Sequence, residues 1–389
     1  TDPRDRPLNL APASVMDYRE LARRKLPRQL FDYIDGGAYA ESTMRANVDD
    51  LRSIHLRQRI LRDVSNIDLS ATVLGEDLSL PVVLAPVGLA GMFAKRAEVQ
   101  AARAAQNEGV RFCESTVSIC GIEEVREATE APFWFQLYVM RDRAYAEDLI
   151  GRARAAGCSA LILTVDLAVV GARYRDTRNG MIDPISGMKK VRRVWDIASH
   201  VGWLTEVAIG GKPLTFGNLE AAVPGARTPQ DFKEWVDSQF DPSVKWDDLE
   251  WVRKHWDGKL ILKGILDVED AKQAADAGAD AVVVSNHGGR QLDDVRSTAS
   301  ALPPIADAVG DRLEVLVDGG IRSGLDVVKM MALGAKACLI GRAWTYAVAG
   351  GGEAGVAHVL QIIRDEMNVA MALTGNQRLD QLTPDVLDR

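Results

Sequence analysis

The 389-residue sequence is poor in features that would each mark a class of protein. It has four cysteines, Cys113, Cys120, Cys158 and Cys338, scattered and with no C-x-x-C pair. Neither a disulfide framework nor a cysteine zinc site is written into it, and a reducing compartment is the expectation. Basic residues are not in excess: 47 Lys and Arg against 55 Asp and Glu leave a net charge of -8, which argues against nucleic acid as the main partner. No apolar run approaches the roughly 20 residues needed to cross a bilayer. The start, Thr1 to Pro12, is too polar to read as a signal peptide. A Pro/Gly/Ser-rich linker, a repeat period, a G-x-G-x-x-G after a first strand, a P-loop and an H-E-x-x-H are all missing. Dinucleotide, ATP and metal readings lose their footing together, and no metal is expected.

What is present is a core-forming composition, 47% hydrophobic, and a rhythm. From Pro81 onward, short apolar runs rich in Val, Ile and Leu alternate with amphipathic helical stretches. Strands are predicted at Val82–Ala85, Arg111–Ser115, Phe133–Tyr138, Ala160–Asp166, Leu260–Lys263, Ala281–Ser285, Glu314–Asp318 and Ala337–Ile340. Helices are predicted at Ala97–Glu108, Arg143–Ala156, Val268–Ala277 and Leu325–Leu333, several ending in a glycine such as Gly157, Gly278 or Gly334 that suits a left-handed helix cap. This pattern predicts an α/β fold, a TIM (β/α)8 barrel forming one domain over residues 1–389. An N-terminal helical extension, 1–80, would cap or flank it. The exception to the rhythm is Leu167 to Lys259, too long for a barrel loop, which predicts an insertion after strand four at about 177–245. Within it, residues 188–203 set Lys189, Lys190, Arg192 and Arg193 beside Trp195 and Trp203. That composition suits an anionic lipid surface or, equally, a solvated basic helix held by its tryptophans.

Reactive residues of such barrels lie at the C-terminal ends of the strands, and here those ends are polar. His287 follows an apolar strand directly and is flanked by glycine, a setting suited to a general base, and Asp166 at another strand end could hold its imidazole. Arg173 and Arg290 offer planar forks that match a carboxylate. Taken alone, Asp166 also suits a turn, and the arginines also suit rim salt bridges. Lys263 ends an apolar strand, where a buried cation needs an anionic partner, and a cofactor that becomes negative on reduction would supply one. Asp318-Gly319-Gly320 with Arg322, and Gly341-Arg342, form the glycine-bordered corner that binds phosphate in many barrels.

The string Ser285 to Asp293, S-N-H-G-G-R-Q-L-D, resembles the active-site signature of the FMN-dependent L-2-hydroxy acid oxidising family, which includes glycolate oxidase and mandelate dehydrogenase. Leu84-Ala85-Pro86, Phe135-Gln136-Leu137-Tyr138, Leu163-Thr164-Val165-Asp166, Leu262-Lys263-Gly264, Val317-Asp318-Gly319-Gly320 and Ile340-Gly341-Arg342 extend the resemblance from about Ser14 to the C-terminus. It implies that His287 takes the substrate proton, that Asp166 orients it, that Arg173 and Arg290 bind the carboxylate, and that Tyr33 and Tyr138 contact substrate oxygens. It also implies FMN as cofactor, held by Pro86, Val87, Gly88, Ser115, Gln136, Thr164, Lys263 and Ser285 on the ring side. Asp318, Gly319, Gly320, Arg322, Gly341 and Arg342 would lie toward the phosphate.

Glu114-Ser115-Thr116-Val117-Ser118 departs from the tryptophan-containing version of that segment in plant glycolate oxidase. With Tyr33 to Tyr39, Gly171 to Asp176 and the basic insertion, it is similar to the bacterial respiratory L-lactate dehydrogenase branch. That likeness implies oxidation of L-lactate, or a similar small L-2-hydroxy acid, to the 2-oxo acid, with electrons passed to quinone or a cytochrome. It further implies peripheral attachment to the cytoplasmic face of a bacterial inner membrane, now favouring the lipid reading of 188–203, and a homo-oligomer, a tetramer in relatives. The alternative within the family is a soluble oxidase that uses oxygen and releases hydrogen peroxide.

Overall fold

The computed structural model describes residues 11–181, 186–223, 235 and 238–388. Eight parallel strands close into a barrel in sequence order: β1 (Val82–Leu84), β2 (Arg111–Ser115), β3 (Trp134–Tyr138), β4 (Ala160–Thr164), β5 (Lys259–Ile265), β6 (Ala281–Val284), β7 (Glu314–Val317) and β8 (Ala337–Ile340). All eight lie where the apolar runs predict them. The runs are apolar throughout because a barrel strand is buried on both faces. Alternate residues then divide between two cores: Val83, Cys113, Trp134, Ile162, Ile261, Val283 and Leu316 fill the barrel interior, whereas Leu84, Phe112, Leu161, Leu262 and Val317 face the surrounding helices. Each such side chain, fully removed from water, contributes roughly 1.5–3 kcal/mol.

The predicted helices form at Ala97–Asn107, Arg143–Ala155, Val268–Asp276 and Gly324–Ala332. In each, the predicted last residue is the C-cap, followed by a glycine in the left-handed region at Gly109, Gly157, Gly278 or Gly334. Asp142, Asp267 and Ser323 cap the N-termini of three of them with side-chain oxygens.

The N-terminal segment does more than flank the barrel. Helices α1 (Val15–Lys25), α2 (Arg28–Asp35) and α3 (Ser42–Ser53) run along its side and over the rim. A hairpin, Ala71–Val73 paired with Glu76–Leu78, turns through Leu74 (φ 54°) and Gly75 (φ 83°). It pushes Val73, Leu74 and Leu78 into the N-terminal mouth of the barrel, completing the inner core. At the same end, Glu76 pairs with Arg111 at 2.6 Å and accepts from Trp134 Nε1 at 2.9 Å and Ser159 Oγ at 3.0 Å.

The insertion after β4 is in part helical, at Tyr174–Arg178, Met188–Ser199 and Val201–Trp203, the last running on into a π-helical turn at Leu204–Ile209. Residues 182–185, 224–234 and 236–237 of the expected insertion lie outside the described residues. Its two tryptophans part company. Trp195 is 75% exposed, but Trp203 is buried, its indole N–H donating to the Met92 carbonyl at 2.8 Å. The expectation that both mark one surface is therefore corrected: the helix breaks near His200, and the turn that follows returns Trp203 to the protein. Among the described residues, no helix is long and apolar enough to cross a membrane.

Candidate active site

The residues singled out for chemistry come together at the C-terminal rim, around an open cavity of about 150 Å³. Tyr33, Tyr138, Arg173, His287 and Arg290 line it with Lys263. Pro86, Val87 and Gly88, with Asp318 to Gly320, Arg322 and Gly341-Arg342, complete the lining.

His287 enters from the turn after β6 with φ 57°, a left-handed conformation costly for a side-chain-bearing residue, and Gly288 and Gly289 continue in the same region. The strain is held by two hydrogen bonds: the His287 amide donates to Ser285 Oγ at 3.0 Å, and Nδ1 meets Asp166 Oδ1 at 2.9 Å. Asp166 reaches the imidazole because Gly264 of β5 has no side chain; a Cβ there would sit 2.6 Å from the Asp166 carboxyl carbon. Burial pushes the Asp166 carboxyl up, but His287 and then Lys263 outweigh it and hold it below the ordinary carboxylate value. Its charge stays in place, with Nδ1 fixed as the donor to it and Nε2 left as the proton acceptor.

Arg290 and Arg173 flank the ring of Tyr33, their guanidinium carbons 4.8 Å and 5.6 Å from its centroid. Arg290 Nη1 donates to the carbonyls of Tyr33 at 2.5 Å and Gly36 at 2.9 Å, which leaves the other arm of the fork free of the backbone. Burial first, then the neighbouring Arg173, push Arg290 down to about 9. Arg173 lies 4.0 Å from Asp176, and its Nε is buried with no hydrogen-bond partner among the described residues. Two half-compensated guanidiniums at one cavity wall call for an anion between them. Burial raises the Tyr138 phenol well above its ordinary value, so it remains a neutral donor.

Lys263 departs from expectation. Its anionic partner is within the protein, Asp318 at 2.9 Å, with Ser285 Oγ at 3.0 Å. Burial lowers the Lys263 ammonium, but Asp318 and Asp166 more than restore it. The strand-seven glycines also have a reason apart from phosphate: a Cβ on Gly320 would meet the Asn47 carbonyl of α3 at 2.0 Å, and one on Gly319 would meet Thr298 at 2.9 Å. The side chain of Arg342, expected at the phosphate, donates instead to the carbonyls of Ile34, Gly288 and Gly36.

The residues expected to hold the cofactor therefore divide. Ser115, Gln136 and Ser285 sit in the wall: Ser115 Oγ donates to Gln136 Oε1, and Ser285 takes Lys263 and the His287 amide. Thr164 lines a neighbouring cavity beside β5. What fits a flat ligand with hydrogen-bonding edges is a pair of buried atoms without a partner among the described residues, Gln136 Nε2 and Asp318 Oδ1. What fits its phosphate is the start of helix Arg342–Thr374, whose N-cap, Gly341, gives no side-chain cap, with Arg322 beside it in the lining.

Three further residues of the Ser285–Asp293 string hold the site together. Asn286 exchanges two hydrogen bonds with Asn47 of α3, at 2.8 and 2.7 Å. Asp293 caps α3 from across the chain through the amides of Ser42 and Thr43. Gln291 donates to the carbonyls of Asp166 and Val169 and accepts from the Gly171 amide, tying the β4 loop to the His287 loop. The polar side chains of Asn286, Gln291 and Asp293, in a string whose other positions include two glycines, were the available signal.

Barrel, base, paired guanidiniums and phosphate corner define a class: a β/α-barrel oxidoreductase that holds a phosphorylated flat cofactor beside a small acid. The chain belongs to the FMN-dependent dehydrogenase family, whose profile matches residues 22–389, and FMN is its cofactor. It is 58% identical over 375 residues to L-lactate dehydrogenase of Caulobacter vibrioides, covering 96% of this chain and 97% of that one. It is 52% identical over 375 residues to L-lactate dehydrogenase of Haemophilus influenzae, covering 96% and 98%. Among solved structures, the monotopic membrane protein (S)-mandelate dehydrogenase superposes with a TM-score of 0.91 at 36% identity, covering 97% of this chain and 99% of that one. A mandelate oxidase superposes with a TM-score of 0.82 at 36% identity, covering 97% and 98%.

Proposed function

We propose that this enzyme oxidises L-lactate, or an L-2-hydroxy acid of similar size, to the 2-oxo acid and hands the electrons to quinone or a cytochrome at a membrane surface. The observation that carries the reading is the convergence of His287, Arg173 and Arg290 on one cavity. The relatives named L-lactate dehydrogenase support the substrate. In this reading Arg173 and Arg290 fix the carboxylate, and Tyr33 and Tyr138 donate to substrate oxygens. His287 Nε2 takes the substrate proton, and Asp166 stabilises the imidazolium that results. FMN, when bound, would supply the acceptor for the two electrons and the second hydrogen. Lys263, kept charged by Asp318, would offset the negative charge of the reduced ring.

The membrane part rests on helix Met188–Ser199. Met188, Val191, Val194 and Trp195 form one stripe at helical spacing, all between 59% and 75% exposed, beside Lys189, Lys190, Arg192 and Arg193. A soluble surface rarely leaves such a stripe uncovered, and cations next to it suit an anionic bilayer.

The purified protein, mixed anaerobically with L-lactate, glycolate or mandelate, tests the substrate: the flavin bands should bleach fastest with L-lactate, and faster bleaching by mandelate overturns that choice. Quinone reduction exceeding peroxide release supports the acceptor, and the reverse favours an oxidase. Sedimentation with anionic vesicles, lost in Trp195→Ala with Lys189→Glu and Lys190→Glu, tests the helix.

A further inference from the structure

Arg173 has little of its own to hold it in place. Among the described residues its one ion pair is with Asp176, at 4.0 Å, and its guanidinium also lies over the Tyr33 ring. Arg290, by contrast, is bonded to two carbonyls at the end of α2. The Tyr39 amide holds the loop at the Ala172 carbonyl, at 2.8 Å, and a charged contact beyond Arg173 ties it to that helix end.

Two residues beyond Arg173, Arg175 reaches back to α2, with Nη1 donating to Asp35 Oδ2 at 2.8 Å and Nη2 to Glu41 Oε2 at 2.6 Å. Asp35 is the last residue of α2, two beyond Tyr33 and one before Gly36, so it lies between the groups that carry both guanidiniums. Its carboxylate is buried and fully engaged. Arg19 of α1 grips it with both Nε and Nη2, at 2.5 and 2.9 Å. Tyr346 donates to it at 2.8 Å from the first turns of helix Arg342–Thr374, whose N-terminus borders the cavity. Burial pushes this carboxyl up, but Arg19, Tyr346 and Arg175 hold it down at about 2, so it is charged under all ordinary conditions. Asp35 does not line the cavity itself.

We propose that Asp35 is a positioning residue: its carboxylate, by joining α1, α2, the Arg173 loop and the C-terminal helix, sets the spacing of the two guanidiniums that receive the substrate carboxylate. The proposal rests on the function argued above. A bidentate grip on a small acid tolerates little error, and a displacement of about 1 Å can cost on the order of 100-fold. A purely structural ion pair would lower stability and leave ligand affinity alone, whereas Asp35 must act on carboxylate binding.

The test is flavin-loaded Asp35→Asn titrated with pyruvate, followed by the shift of the flavin absorption bands. The dissociation constant should rise about tenfold to 100-fold, KM for L-lactate should rise with it, and kcat and flavin content should change much less. Tyr346→Phe, which removes one neutral donor from the same carboxylate and keeps the ring, should act in the same direction by roughly two- to tenfold. Wild-type pyruvate affinity in flavin-loaded Asp35→Asn overturns the proposal. Should that variant fail to load flavin, wild-type affinity in Tyr346→Phe overturns it instead. A wild-type flavoprotein that neither bleaches with any L-2-hydroxy acid nor responds to pyruvate defeats the functional reading, a result distinguishable from either of these.

Discussion

The two ends of the barrel both bury charge and settle it in opposite ways. At the N-terminal end, Glu76 spends its oxygens on Arg111, Trp134 and Ser159, and hairpin side chains seal the mouth over them. At the C-terminal end, Asp166 Oδ2, Arg173 Nε, Gln136 Nε2 and Asp318 Oδ1 are buried without a hydrogen-bond partner among the described residues. An unsatisfied buried polar atom costs about 1–3 kcal/mol, so a fold that keeps several at one end holds them for a ligand. The closed network makes the barrel stable; the open one makes it reactive.

Substitutions at the two ends should have different outcomes. The largest effect belongs to the open end: His287→Ala should slow flavin bleaching by L-lactate about 10²- to 10⁴-fold while FMN stays bound. Anaerobic stopped-flow absorbance measures this, and bleaching at the wild-type rate would remove the imidazole from the reaction. Next, Arg173→Ala should weaken carboxylate binding by about 1.5–3 kcal/mol, visible as a raised KM for L-lactate. An unchanged KM would mean that the partnerless Nε has no bearing on substrate.

At the closed end the sign of the result changes. Glu76→Gln sets an amide N–H against Arg111 and should lower stability by about 1–3 kcal/mol, with kcat per bound flavin untouched. Thermal unfolding alongside steady-state rates decides it, and a fall in kcat at full flavin content would erase the distinction between the ends. The smallest effect concerns pH. Asp35 is held at about 2 in the folded chain against 3.8 ordinarily. A depressed carboxyl stabilises the fold above its unfolded value and loses that contribution as pH falls through its folded one. Because Arg19 and Arg175 reach solvent, the contribution is about 1–2 kcal/mol. Urea unfolding between pH 4 and pH 2 should therefore be less steeply pH-dependent in Asp35→Asn than in the wild type.

Much of this was legible in one dimension. A strand buried on both faces needs an apolar run, and a helix that turns back toward the barrel needs a glycine after its C-cap, so strands, helix ends and the rim positions of His287, Asp166 and Arg290 follow from spacing. The hairpin of 71–78 escaped notice because one of its two turn residues is Leu74, a side chain seldom found at positive φ, although Gly75 was there to be read. The insertion's tryptophans look alike in sequence. Only a break in the helix near His200 sends Trp203 inward to Met92 and leaves Trp195 outside.

The sequence alone determined which chemical groups stand at the barrel rim, because periodicity assigns each residue to a strand end and residue type assigns its chemistry. It did not determine who pairs with whom. That Lys263 finds Asp318, that Arg342 spends its donors on backbone carbonyls, and that Asp35 ties residue 19 to residues 175 and 346 are decisions of the tertiary structure. Pairing depends on distances between segments far apart in the chain, and those distances are set only once the barrel closes.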